Sequence, residues 1–137
     1  TKQSFSHYPT TDDIYAMVAR LRSYIHQSEA KELFSPMLNI AETGSTTYTA
    51  QVGLPVDRVL PQKDDISSKW MMQGGNILMG EVTGGLKQIE EAQKQMELYI
   101  IDYQRAIIAI PFQMLITDRT KEPDSAKWIT RIYYPVV

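Results

Sequence analysis

Cysteine is absent from this chain of 137 residues. Its absence removes disulfides, thiolate catalysis and the usual zinc sites together, and fits a reducing cytoplasm. Histidine is almost as scarce. His7 and His26 are the only two, one on an apparent strand and one on an apparent helix, without metal-ligand spacing. No metal or cofactor is therefore expected. Lys and Arg never run three together and the net charge is −2, so the electrostatic footprint of a nucleic-acid binder is missing. No apolar run approaches the ~20 residues of a membrane helix, and no membrane partner is expected. Gly-x-Ser-x-Gly does not occur, and Gly74-Gly75 and Gly84-Gly85 form neither a Walker nor a dinucleotide loop. The chain opens on Thr1 rather than Met, without a signal-like charged-then-apolar start, which is consistent with residues upstream of it.

What is present is a globular composition, 43% apolar and 22% charged, in a chain long enough for one core. It is written twice. Ile14 recurs as Ile89, Tyr24-Ile25 as Tyr99-Ile100 and Pro36 as Pro111, each 75 positions later. Leu54-Pro55-Val56 is answered by Tyr134-Pro135-Val136, 80 positions later. The expectation is a single domain over 1–137: repeat 1 about 1–56, a Pro-punctuated polar connection at 57–65, and repeat 2 about 66–137. A unit that cannot bury its own apolar face pairs with its copy, and the seam between copies is a natural place for a ligand.

Each copy follows one order of elements. In the first, a strand over 3–8 stops at Pro9, and Thr11 or Asp12 caps a helix that fades near Lys31. Its apolar face is Ile14, Met17, Val18, Leu21 and Ile25. Strands over 36–42 and 47–54 flank a turn at Gly44. In the second, strands over 66–73 and 76–82 flank Gly74-Gly75, a two-residue hairpin signal. A helix follows Gly85 with apolar positions Ile89, Ala92, Met96, Tyr99, Ile100 and Tyr103, and strands over 111–117 and 128–134 close the copy. Tyr24 and Tyr99, being repeat-equivalent, suggest a shared packing role. The count is two long helices and roughly seven strands. The fold class is α+β: two β-α-β-β repeats with pseudo-twofold symmetry, an antiparallel sheet with two long helices on one face, and a ligand cleft between the repeats.

The stretch 75–137 carries Pro111-Phe112, then Asp118, then Thr130-Arg131-Ile132-Tyr133-Tyr134-Pro135-Val136. In this it resembles the gyrase-inhibitor-like (GyrI-like) effector-binding domain family, and the first copy fits more loosely through 36–56. The resemblance implies stand-alone bacterial proteins or the ligand-sensing halves of multidrug-responsive transcription activators. It also implies a cleft for small, often cationic aromatic molecules, with aromatic walls and a buried acid. One departure matters: where many relatives place that acid, this chain has Arg131, and Gln51 in the first copy. A buried cation favours an anionic ligand. The family's cation preference is therefore not carried over, and the hydrolase activity of some branches is put in doubt.

Strand alternation sorts the candidates. Trp128, Thr130, Ile132 and Tyr134 share one face of the last strand, and Ile129, Arg131 and Tyr133 the other. In the matching strand the helix-packing set is Tyr48, Ala50, Val52 and Leu54, which leaves Thr49, Gln51 and Gly53 for the cleft. By symmetry Arg131 and Tyr133 face the cleft. The bland alternative is an exposed strand arginine paired with a nearby carboxylate. Glu81, in line with Ile77 and Met79, is a ligand contact, a partner for Arg131, or a strand-end acid reaching solvent. Trp70 and Met72 are pocket walls or plain core. Tyr8, ending a strand, is a candidate pocket hydroxyl. The ligand-binding set is Tyr8, Gln51, Trp70, Met72, Glu81, Arg131 and Tyr133, with no catalytic residue.

The leading reading is a non-catalytic small-molecule (effector) binding domain for an aromatic or amphipathic ligand. It stands alone or serves a partner protein or a fused regulatory domain. The alternatives are a hydrolase with Glu81 as base and a tyrosine as acid, and a protein-inhibitory module of the gyrase-inhibitor type.

Overall fold

A computed structural model describes residues 1–69 and 76–137. The chain forms two compact units, Thr1–Met71 and Met72–Val137. Unit 1 runs β1 (Lys2–Phe5), α1 (Thr11–Gln27), β2 (Met37–Glu42) and β3 (Tyr48–Gly53). Unit 2 runs β4 (Asn76–Thr83), α2 (Leu86–Asp102), β5 (Phe112–Leu115), a short 3-10 turn at Ser125–Lys127, and β6 (Ile129–Val136). The fold is α+β, and the described strand pairs within each unit are antiparallel. In each unit the last strand is the middle one: β3 pairs with β1 and β2, and β6 with β4 and β5.

The duplication extends from residues to hydrogen bonds. Leu38 opposes Val52 in unit 1 and Gln113 opposes Ile132 in unit 2, displaced by the same 75 and 80 positions as the sequence landmarks. The isolated bridges Glu32–Val56 and Ile107–Val136 repeat the two displacements. So do the bonds Leu33 N–H to Pro55 carbonyl (2.9 Å) and Ile108 N–H to Pro135 carbonyl (3.0 Å). Both helices have 17 residues.

Local chemistry sets where the helices begin and end. Thr10 Oγ1 accepts from the Asp13 N–H at 3.1 Å, and the Asp13 carboxylate accepts from the Thr10 N–H at 2.9 Å, a reciprocal capping box. The cap is thus Thr10, not Thr11 or Asp12. From those two positions the third helical residue is Ile14 or Tyr15, and neither can reciprocate. α1 stops at Gln27, short of Lys31, because Glu29 turns left-handed (φ 57°) and Ala30 N–H returns to the Ile25 carbonyl at 3.1 Å. α2 stops the same way through Gln104 (φ 54°) and an Arg105 N–H bond to Ile100.

The buried residues of α1 are Ile14, Met17, Val18, Leu21 and Ile25, the face the periodicity marks. In unit 1, Leu38, Ala50 and Val52 are buried as well. In unit 2, Ile89 and Ile100 of α2 join Ile132, Tyr134 and Val136 of β6 in one core cluster, with Ala92 and Met96 packed against it. Burying a side chain of this size contributes about 1.5–3 kcal/mol. Tyr134 donates its hydroxyl to Glu97 at 3.0 Å. Gly80 lets β4 approach α2, since a Cβ there would stand 2.9 Å from Met96 Sδ.

Four expectations are corrected. Tyr99 and Tyr103 are 47% and 64% exposed, their ring centroids 4.3 Å apart and their planes tilted by 31°. Tyr24, by contrast, packs on the Ile25–Ala30–Leu60 cluster, so the repeat-equivalent tyrosines do not share a packing role. β6 continues through Pro135 to Val136, because Pro135 opposes Ile77 and uses only its carbonyl, toward Ile108. Finally, no strand forms over 66–69. Ser68 Oγ bonds both the N–H and the carbonyl of Leu60, at 2.9 and 3.0 Å, which ties the segment back on itself. The described residues hold six strands rather than seven. The remainder of the expected strand, with Trp70, Met72 and the Gly74-Gly75 hairpin, lies outside the described residues. Among the described residues no helix is long and apolar enough to cross a membrane.

Candidate functional site

In unit 2 the face of the sheet away from α2 combines aromatic, aliphatic and charged groups. Alternation along β6 produces it. Thr130, Ile132 and Tyr134 are buried, which turns Arg131, Tyr133 and Pro135 to the opposite side. The register then sets their neighbours. Arg131 lies between Glu81 and Met114, Tyr133 between Met79 and Phe112, and Pro135 beside Ile77. The rings of Phe112 and Tyr133 stack with centroids 4.9 Å apart and planes 15° from parallel. On β4, Ile77 and Met79 are about half exposed, at 47% and 52%. A flat apolar ledge thus borders an ion pair.

That pair is Arg131 Nε to Glu81 Oε1, at 3.1 Å. The two side chains are 42% and 52% exposed. At that exposure the pair adds little to stability. Its role is to fix a charge arrangement. The Glu81 hydrogen bond, followed by that of Tyr133, holds the Arg131 guanidinium above its ordinary value. Arginine carries five N–H donors in a planar fork, and the Nε bond engages one of them.

Unit 1 presents the matching face with different chemistry. Gln51, in the position of Arg131, lies between Lys2 and Asn39, while Gly53 opposes Met37 where Tyr133 opposes Phe112. No aromatic pair forms there among the described residues. Tyr8 stands edge-on to Tyr48 at 5.4 Å, and Tyr48 alternates with Thr49 and Gln51 along β3. The structure therefore brings Glu81, Arg131 and Tyr133 together in unit 2 and places Gln51 and Tyr8 in unit 1. Trp70 and Met72 lie outside the described residues. Phe112 and Met79 are absent from the residues the sequence selects. Period-2 alternation across 111–117 marks Phe112 and Met114 as one face, a signal that assigns Phe112 to Tyr133 only once the register is known.

Glu81 is exposed and engaged by Arg131, whereas general acid–base work needs a carboxylate in a poorly solvated cleft. Among the described residues no cluster of His, Asp and Glu could hold a metal. A separate groove of about 200 Å³ lies at the far end of unit 2, between Asn76, Tyr99, Ile100, Arg105 and Val136, and only Ile77 belongs both to it and to the ledge. It falls below the roughly 300–1,000 Å³ of ordinary ligand pockets.

No protein-family model matches the chain, and no curated protein matches it. Solved structures share its fold, among them those of EcmrR and SAV2435. EcmrR, in the EcmrR–DNA complex of EcmrR-RPo, superposes with a TM-score of 0.73 at 12% identity, over 98% of this chain and 52% of that one. SAV2435 bound to tetraphenylphosphonium superposes with a TM-score of 0.54 at 13% identity, over 99% of this chain and 85% of that one. The chain thus spans about half the length of EcmrR.

Proposed function

We propose that this chain is an effector-binding domain of the GyrI-like kind, whose unit 2 ledge holds a small aromatic molecule. The observation that carries the reading is the Phe112–Tyr133 stack beside the Arg131–Glu81 pair on the face of unit 2 away from α2. A flat ring extends the existing stack and gains dispersion and quadrupole contacts there, while the pair orients its polar edge. The shared fold supports this, since one protein with it is a ligand complex and another a DNA complex. No DNA-reading element is assigned to this chain. It reports ligand occupancy to a separate partner or to an attached regulatory domain in the cytoplasm, and performs no chemistry itself.

The test is a thermal-shift screen of planar aromatics against wild type and Phe112→Ala. Ligand at 100 times its Kd stabilises by about 2.7 kcal/mol, a readable change. The reading holds if at least one aromatic stabilises wild type and not the variant. It fails if hits stabilise both equally.

A further inference from the structure

Resting on that reading, we infer that the Glu81–Arg131 pair is a charge selector, restricting the ledge to aromatic molecules whose polar edge carries a donor and an acceptor together, neutral amides and zwitterions. The two side chains belong to one cross-strand pair, in the row next to Tyr133 and its ring partner Phe112. A ring lying on that stack brings its substituent over the pair. The two charged atoms are 3.1 Å apart and of opposite sign. A lone charge placed about equally far from both gains from one partner what it loses to the other. A group that offers an acceptor to the guanidinium fork and a donor to the carboxylate meets both favourably. Neither charge dominates by burial, since the two side chains are exposed to similar extents, 42% and 52%.

The inference predicts what removing either charge does. With Glu81→Gln, Arg131 stands alone and the ledge favours anions. With Arg131→Gln, Glu81 stands alone and the ledge favours cations. Both sites are half exposed, so both variants are expected to fold with an unchanged unfolding midpoint, which circular dichroism checks.

The experiment titrates four probes of one ring system, 2-naphthamide, 3-(2-naphthyl)alanine, 2-naphthoate and 2-naphthylmethylammonium, into wild type, Glu81→Gln, Arg131→Gln and Phe112→Ala. For wild type the amide and the zwitterion are expected to bind about fivefold tighter than either singly charged probe. Glu81→Gln should raise the naphthoate affinity about fivefold, and Arg131→Gln that of the ammonium by a similar factor. The selector is overturned, and the binding ledge retained, if Phe112→Ala abolishes binding while neither charge variant reorders the probes. Indifference of every probe to Phe112→Ala overturns both.

Discussion

The ring of Phe112 lies nearly flat on that of Tyr133, 4.9 Å between centroids, because β5 and β6 place the two directly opposite each other. The corresponding pair in unit 1, Met37 and Gly53, has no ring at all. At this cross-strand position one copy of the duplicated unit thus carries an aromatic pair and the other does not.

Truncating one ring separates binding from folding. An aromatic pair is worth about 0.5–1.5 kcal/mol beyond area burial. Phe112→Ala is expected to cost about 1–2 kcal/mol of stability by urea denaturation and to remove aromatic-ligand binding altogether. Met37→Ala, at the equivalent place, should leave binding unchanged.

The helix C-termini offer a stabilising substitution. Glu29 and Gln104 hold φ of 57° and 54°, a region that costs a residue with a Cβ about 1–2 kcal/mol. Glycine relieves that strain but loses more entropy on folding. Glu29→Gly and Gln104→Gly are each expected to raise stability by about 0.5–1 kcal/mol, read as a higher urea midpoint with an unchanged slope.

The loop before β6 depends on one arginine. Arg119, 5% exposed, donates to Thr130 Oγ1 at 2.9 Å and lies 4.8 Å from the Trp128 ring, whose indole N–H donates to the Glu122 carbonyl at 2.9 Å. Arg119→Ala removes a cation–π contact and leaves a buried hydroxyl short of its donor, an expected loss of about 2–3 kcal/mol. Arg119→Lys should recover only part of it, since a point charge does not reproduce the planar fork. Equilibrium unfolding of the two variants checks the order.

Acid should weaken unit 1 through two carboxylates that accept backbone N–H bonds. The Thr10 N–H, and after it His7, holds Asp13 below its ordinary value of 3.8, and the Lys31 N–H does the same for Asp57. A carboxyl depressed in the folded state contributes stability above its unfolded value and loses it as pH falls through the folded one. Stability is therefore expected to fall below about pH 4, with Asp13→Asn flattening that slope. At the alkaline end, burial and then Glu97 push the Tyr134 phenol well above its ordinary 10.0. A raised phenol contributes no change below its unfolded value and destabilises as pH climbs above it. Tyr134→Phe should remove that alkaline loss. Urea midpoints from pH 3 to pH 11 check both limbs.

Much of the fold was legible because duplication and strand alternation are strong signals. The displacements of 75 and 80 read from Pro36 and Val56 reappear in register and in backbone hydrogen bonds. Alternation separated Ala50 and Val52 from Gln51, and Ile132 and Tyr134 from Arg131, as burial does. What escaped depended on partners distant in sequence. Ser68 capturing Leu60 removed a strand that composition allowed. Tyr24 and Tyr99 diverged because Leu60, part of the cluster under Tyr24, belongs to the connection between copies. The candidate site was half legible. Glu81, Arg131 and Tyr133 followed from alternation, but Phe112 required knowing which residue of β5 opposes Tyr133.

The central claim is that the face of unit 2 away from α2 is the binding surface, and amide chemical-shift mapping tests it most directly. Titrating 2-naphthamide into the labelled protein should move resonances of residues 77–81, 112–114 and 131–133. Shifts confined to the Asn76–Tyr99–Arg105 groove, or to α1 and β3, would contradict it.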